Sequence, residues 1–244
     1  MRFTDICRPL MACALGLVVL TGCRDERAPE LPPGPEAAGR EYFPIAVGRF
    51  WEYDVEEHIW NYDRDSVAYF QLQERVDTVY RGATGELTYH LIRSRRADSL
   101  ANWRDDSTTA IVLTADIVRR QTDNLPTIEL LFPVREGKSW NPNLFNALDS
   151  SVRAYSQLGL ARTLPGGRRF ARTVRVVDEP QISQVKRAEQ EATYAWNIGR
   201  VYRFRRSLSY CNVIQVQEGR CQLGDGYIVR GFSRQEQLRK WGTR

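Results

Sequence analysis

Two histidines, a pair of adjacent aspartates and a cluster of late arginines are the residues here whose types could do chemistry. His58 and His90 stand far apart, and neither has a second ligand at metal spacing. A zinc-type site gathers three or four His, Cys or carboxylate ligands, so no metal is expected. Asp105 and Asp106 are neighbours in the chain, and neighbours do not converge on a substrate. A glycosidase needs two carboxylates facing each other across roughly 5 to 9.5 Å; strands could bring distant ones together, and spacing alone does not reveal them. No Gly-x-Ser-x-Gly elbow is present, so the nucleophile turn of an α/β-hydrolase is missing. Leu164-Pro165-Gly166-Gly167-Arg168 lacks the Lys-Ser/Thr of a phosphate loop. The expectation is no catalytic residue and no cofactor.

The arginines remain. Lys occurs only at positions 138, 186 and 240, so the basic charge is almost all guanidinium. Arginine is concentrated after residue 160, with Arg162, Arg168, Arg169, Arg172, Arg175, Arg200, Arg203, Arg205 and Arg206 among them. They read as a solvated face, with a patch for anionic lipid head groups or surface glycans as the alternative. A net charge of +5 and a pI near 9.0 would suggest nucleic acid in a cytosolic protein. The amino terminus argues against that partner.

Arg2 and Arg8 precede the apolar run Leu10 to Leu20. That run is too short for a stable membrane span and fits the core of a secretory signal, residues 1–22. Leu20-Thr21-Gly22-Cys23 follows at once and resembles the bacterial lipobox, whose cysteine is diacylated and becomes the first mature residue. Cys23 is therefore the expected lipid anchor. Arg24-Asp25-Glu26 is similar to a basic-then-acidic signal for the outer leaflet of the outer membrane. Residues 23–41, with Pro29, Pro32, Pro33 and Pro35, read as a semi-extended tether reaching at most about 50 Å. Cys7 and Cys13 leave with the signal, so Cys211 and Cys221 remain in an oxidising compartment and are expected to pair across a hairpin.

The elements that position these groups read as strands. Phe43-Pro44-x-x-x-Gly48-x-x-Trp51 recurs as Phe132-Pro133-x-x-x-Gly137-x-x-Trp140. Pro suits a strand entrance, Gly a turn with positive φ, and Trp the first inward position of a strand. After the first corner Trp51, Tyr53 and Val55 alternate with Glu52, Asp54 and Glu56, predicting one apolar and one wet face. His58–Ser66 reads as a polar connection, 67–80 as a long strand and 81–86 as a turn. Residues 87–91 read as a strand, 103–107 as a loop and 109–119 as a strand. Further strands are expected over 170–178, 200–209 and 226–232, and 183–193 suits either a helix or a polar strand. Ser233-Arg234-Gln235-Glu236 has capping-box spacing and predicts a short helix to Trp241. Residues 42–244 thus form a mainly β domain of two related units, about 42–125 and 126–232, with a helical tail. Antiparallel meander sheets are expected, as an open barrel or two stacked half-sheets. The aromatics Trp51, Tyr53, Tyr69, Phe70, Tyr80, Tyr89, Tyr202 and Phe204 would line the core or an apolar concavity for a lipid.

The two corners, with Thr173-Val174-x-Val176-Val177 and Tyr194-Ala195-x-Asn197-Ile198-Gly199-x-Val201-Tyr202-Arg203, resemble uncharacterised Bacteroidota lipoproteins from about Tyr42 to Phe204. Arg200 departs from that pattern, where an apolar residue is usual, and so does Pro142, where Gly is usual. The resemblance implies an outer-membrane address and a β architecture, and no reaction. The expectation is a non-enzymatic binding or structural module of the envelope, meeting the membrane through its anchor and an unidentified protein, glycan or lipid. A carrier of an apolar ligand is the alternative, and a glycan-processing enzyme the third reading.

Overall fold

A computed structural model describes residues 38–82, 85–224 and 226–244 of the chain. The signal, Cys23 and most of the tether lie outside the described residues. The last four tether positions, 38–41, are docked instead of free. Arg40–Tyr42 forms a 3-10 turn, Arg40 Nη2 donates to the Ala115 carbonyl at 2.8 Å, and Val134 N donates to Ala38 O at 2.9 Å.

The rest is almost all strand. β1 (Arg49–Asn61), β2 (Arg64–Arg81), β3 (Leu87–Arg96), β4 (Arg104–Leu113), β5 (Ile117–Thr122) and β6 (Leu125–Leu131) form a continuous antiparallel meander. β7 (Ser139–Trp140), β8 (Arg153–Thr163), β9 (Arg169–Asp178), β11 (Lys186–Ala195), β12 (Gly199–Tyr210) and β13 (Ile228–Thr243) form a second, with the two-residue β10 (Gln181–Ile182) beside β11. β13 pairs with β1 from Arg49↔Thr243 to Asn61↔Arg230, which joins the two runs into one sheet. Only β6 and β7 fail to share a ladder, and side chains close that seam. The Ile128 carbonyl accepts from Trp140 Nε1 at 3.2 Å and from Arg153 Nη1 at 2.8 Å, while Tyr155 Oη accepts from Leu131 N at 2.8 Å. The sheet is therefore a nearly closed up-and-down barrel, a topology that leaves almost no bare edge.

Both corners are built alike. Arg49 N donates to Ala46 O at 3.1 Å, and Lys138 N to Arg135 O at 3.2 Å. Gly48 (φ +83°) and Gly137 (φ +73°) hold the third turn position, where a positive φ favours glycine. Trp51 and Trp140 follow on β1 and β7, both buried, with the Trp51 indole donating to Ile198 O at 2.6 Å. Each corner opens six strands.

In such a meander alternate turns fall at the same end. One end carries the corners, Gly82 and Gly85-Glu86 between β2 and β3, and the turns at 114–116, 164–168 and 196–198. It is filled by Tyr42, Trp51, Tyr53, Leu164 and Tyr194, with Tyr42 and Trp196 packed edge to face at 5.1 Å. Burying one such ring contributes roughly 1.5–3 kcal/mol. The other end carries the turns at 62–63, 97–103, 123–124, 141–152, 179–185 and 211–227, and is open.

Several expectations are corrected. β1 and β2 run through 58–61 and 64–66, leaving a two-residue turn at Tyr62-Asp63, both with positive φ. Residues 104–107 belong to β4, and Thr109–Arg119 is split between β4 and β5 by a turn. The tail at 233–241 is strand, not helix. Glu236 faces the barrel interior on β13 and Ser233 the other side of the strand, and pairing with β1 and β12 overrides the capping-box spacing. The one described α-helix, α1 (Val213–Gln217), lies instead between Cys211 and Cys221, capped by Asn212 and Gln215. Those cysteines are bonded, with Cα atoms 6.0 Å apart, but they clip a helical excursion and not a hairpin.

Candidate functional site

The strands that enclose the lumen place alternate side chains inward. On β12 this gives Val201, Arg203 and Arg205; on β13, Leu238, Glu236 and Arg234. The apolar members join the packed end. The charged ones meet Glu74 from β2, Arg93 from β3, Arg120 from β5 and Glu129 from β6.

Arg200 is the hub of this cluster. Its Nη2 lies 3.1 Å from Glu74 Oε2 and 3.3 Å from Glu236 Oε2, and its Nη1 lies 3.8 Å from Glu129 Oε1. Arg120 links the same carboxylates, at 2.7 Å from Glu129 and 3.3 Å from Glu74. Arg93 stands 3.6 Å from Glu74, and Arg234 bridges Glu236 at 3.0 Å and Glu57 at 3.4 Å. Arg153 holds Asp178 with both sides of its fork. Burial alone would raise the Glu74 carboxyl, but Arg120, Arg200 and Arg93 outweigh it and hold it well below the usual range. Burial is likewise outweighed at Glu236, where Arg200, Arg203, Arg234 and Arg205 bring the carboxyl down to about 2. Glu129 is lowered in the same way. All three carboxylates are therefore ionised at neutral pH.

The charges do not balance. Arg93, Arg120, Arg153, Arg200, Arg203, Arg205 and Arg234 face Glu57, Glu74, Glu129, Asp178 and Glu236, and a sixth carboxylate, the solvent-exposed Asp123, stands at the edge of the cavity. Among the described residues each of these carboxylates except Asp123 is engaged in an ion pair, and Arg203 and Arg205 have no ion-pair or hydrogen-bond partner. Both border a polar cavity of about 660 Å³ that also touches Glu74, Arg93, Arg120 and Arg153. Arg203 sits deep in the barrel, yet the lumen leaves its side chain partly accessible to water. Burial, together with Arg205 and Arg200, pulls its guanidinium down to about 9. Arg205 is lowered chiefly by burial, and its Nε is buried without a partner. Half-buried cations with no ion-pair partner suit an incoming anion, because a guanidinium fork matches carboxylate or phosphate oxygens.

The residues singled out by sequence fall elsewhere. Pro44, Gly48, Trp51, Pro133, Gly137 and Trp140 lie at or below the packed end and seat strands. His58 pairs with Glu56 at 2.9 Å and stacks on Trp60, while Asp105 accepts from Ser94 at 2.7 Å. Among the described residues no group of three His, Cys, Asp or Glu is gathered to hold a metal ion. The late arginines are not one surface. Arg162 and Arg175 grip Glu191, Arg206 pairs with Glu189, and Arg172 lies over the Trp196 ring at 3.6 Å. Arg200, Arg203 and Arg205 turn inward. Glu52, expected to be wet, is buried and accepts from Gln73 at 3.0 Å. Of the aromatics, Trp51, Tyr53, Phe70 and Tyr202 are core, whereas Tyr69 and Tyr80 are exposed. Glu74, Arg120 and Glu129 carried no sequence signal for this cluster, and Glu236 reads only as the end of a capping box.

No family model and no curated protein matches the chain. Among solved structures it is similar to a protein from Bacteroides fragilis assigned as exported and as having a YmcC-like fold. The TM-score is 0.41 and the identity 11%, over 81% of this chain and 98% of that one. No property of that protein is transferred to this chain.

Proposed function

We propose that this chain is a non-enzymatic binding module of the cell envelope, held at the outer membrane through Cys23, whose lumen takes an anionic ligand. The observation that carries the reading is the pair Arg203 and Arg205, two half-buried guanidiniums with no carboxylate at ion-pair distance, beside a 660 Å³ cavity. The leader, the lipobox-like Cys23 and the bonded pair Cys211–Cys221 support an oxidising, extracytoplasmic location. A purely apolar cargo is disfavoured, because the cavity wall carries five guanidiniums, Arg93, Arg120, Arg153, Arg203 and Arg205, and the carboxylates Glu74, Asp123, Glu129 and Asp178, which hydrocarbon would desolvate. Glycoside hydrolysis would need a carboxyl kept protonated near neutral pH, and Glu74, Glu129 and Glu236 are all shifted the other way.

Calorimetric titration of the mature, detergent-solubilised chain with pyrophosphate tests this. Saturable binding is expected that weakens as salt rises and drops at least tenfold in Arg203→Gln. No binding heat at millimolar pyrophosphate or any other small di- or tri-anion would reject the reading.

A further inference from the structure

A second concavity, about 880 Å³, lies at the open end of the barrel beside the lumen. It is formed by the last turn of β1, the first turn of β13 and the far end of β12. Ile59, Val229 and Phe232 supply its apolar wall, and Arg205 borders it from the lumen side. Arg205 borders the polar cavity too, so one guanidinium is the partition between the two spaces. Its carbon lies 5.9 Å from the centre of the Phe232 ring.

Ile59 and Phe232 are opposite each other in the β1–β13 ladder. Both are large apolar side chains, yet 49% and 36% of their surface stays exposed. The other charges at this mouth are Arg230 and Glu57, and Glu57 is occupied by Arg234. Apolar surface left open next to a half-buried guanidinium with no ion-pair partner is costly twice over. Both costs are relieved by one molecule with an acidic head and a hydrocarbon tail.

We infer that the ligand is an amphipathic anion whose head sits against Arg203 and Arg205 and whose alkyl chain leaves the lumen over Ile59 and Phe232. This rests on the anion-binding reading above and adds the tail. Charge fixes the polarity. The tail cannot point inward, because the cavity behind Arg205 is walled by Glu74, Arg120 and Glu129 and ends on the packed aromatics. The alkyl chain therefore points to the open end, away from the corners where residue 38 enters the barrel.

Two probes separate the inference from the reading beneath it. Ethyl phosphate and octyl phosphate share a head group and differ by six methylenes. Each methylene fully buried tightens binding about fourfold; with three or four covered by the groove, octyl phosphate should bind ~60- to 250-fold tighter in calorimetric titrations of the mature chain. Phe232→Ser should cut that ratio below about tenfold, and Ile59→Ser serves the same purpose should the first variant fold poorly. Arg203→Gln should weaken both probes. Equal affinities for the two probes would overturn the tail and leave the anion site standing. A large ratio untouched by both serine variants would also overturn it. Binding of octyl phosphate that ignores Arg203→Gln, or no binding of either probe, would take down the anion site as well.

Discussion

Replacing Arg203 by Met should make the ligand-free protein more stable, although it removes a charged residue from a charged cluster. The Arg203 guanidinium is pulled from an ordinary 12.5 to about 9, by burial first and by Arg205 and Arg200 after it, against the pull of Glu236 and Glu129. Each pK unit corresponds to about 1.4 kcal/mol, so the charged side chain disfavours the folded state by at most roughly 5 kcal/mol. Water in the lumen screens part of this, and about 1–3 kcal/mol is the expected gain. The sign is fixed by linkage. With the folded value depressed, the unfolded chain holds more protons between about 9 and 12.5, so the penalty is complete below pH 9 and eases above it. Met keeps the stem's volume and adds no polar atom. Urea unfolding of wild type and Arg203→Met at pH 7 measures the difference, and pyrophosphate titration of the same samples should show binding reduced or lost. A stabler protein that no longer binds is the signature of a residue kept for a ligand. Destabilisation by more than about 1 kcal/mol would refute the reasoning, since it would mean that Arg203 is a net structural partner of the carboxylates.

The neighbouring carboxylate should behave oppositely. Glu236→Gln leaves Arg200 and Arg234 short of a partner and should cost roughly 3–5 kcal/mol at pH 7. Because the Glu236 carboxyl is held at about 2 against an ordinary 4.5, its contribution is full above pH 4.5 and fades as pH falls toward 2. The gap between wild type and variant in urea unfolding should therefore narrow between pH 5 and pH 3. Gly48→Ala should cost more than Gly137→Ala. Both positions have positive φ, worth about 1–2 kcal/mol, but a Cβ at Gly48 would stand 2.8 Å from the Arg244 carbonyl and one at Gly137 would meet nothing within 4 Å. Thermal melts of the two variants rank them. Cys23→Ala should abolish palmitate labelling and release the protein from washed membranes, which fractionation with radiolabelled palmitate reads directly.

The sequence was legible where one residue type answers one backbone demand. Gly48 and Gly137 announce a positive φ, Pro44 and Pro133 a strand entrance, and the period-two run from Trp51 to Val55 a strand; an edge, the other reading of Pro44, is not found there, since β1 is paired on both sides. Those cues led to an antiparallel meander with two like corners. It failed where ladder pairing overrode a local cue. Ser233-x-x-Glu236 is a sound capping box in isolation, but β1 on one side and β12 on the other hold the segment extended. Alternation also misassigned Glu52, because a charged residue on a strand reads as wet unless its cross-strand partner, here Gln73, is known. The lumen was hidden for the same reason. Glu74 and Arg93 are opposite each other on β2 and β3, and Arg203 and Glu236 on β12 and β13, and such pairs emerge only once register is fixed. Arg200, read with the other late arginines as part of a solvated face, is instead the centre of the buried network.

Native mass spectrometry of the protein released intact from its own membrane tests the central claim most directly. Wild type should carry a bound anion whose mass disappears in the Arg203→Gln, Arg205→Gln double variant while the folded charge-state distribution is retained. Wild type that emerges empty, or a bound molecule that is neutral and persists in the double variant, would contradict the account.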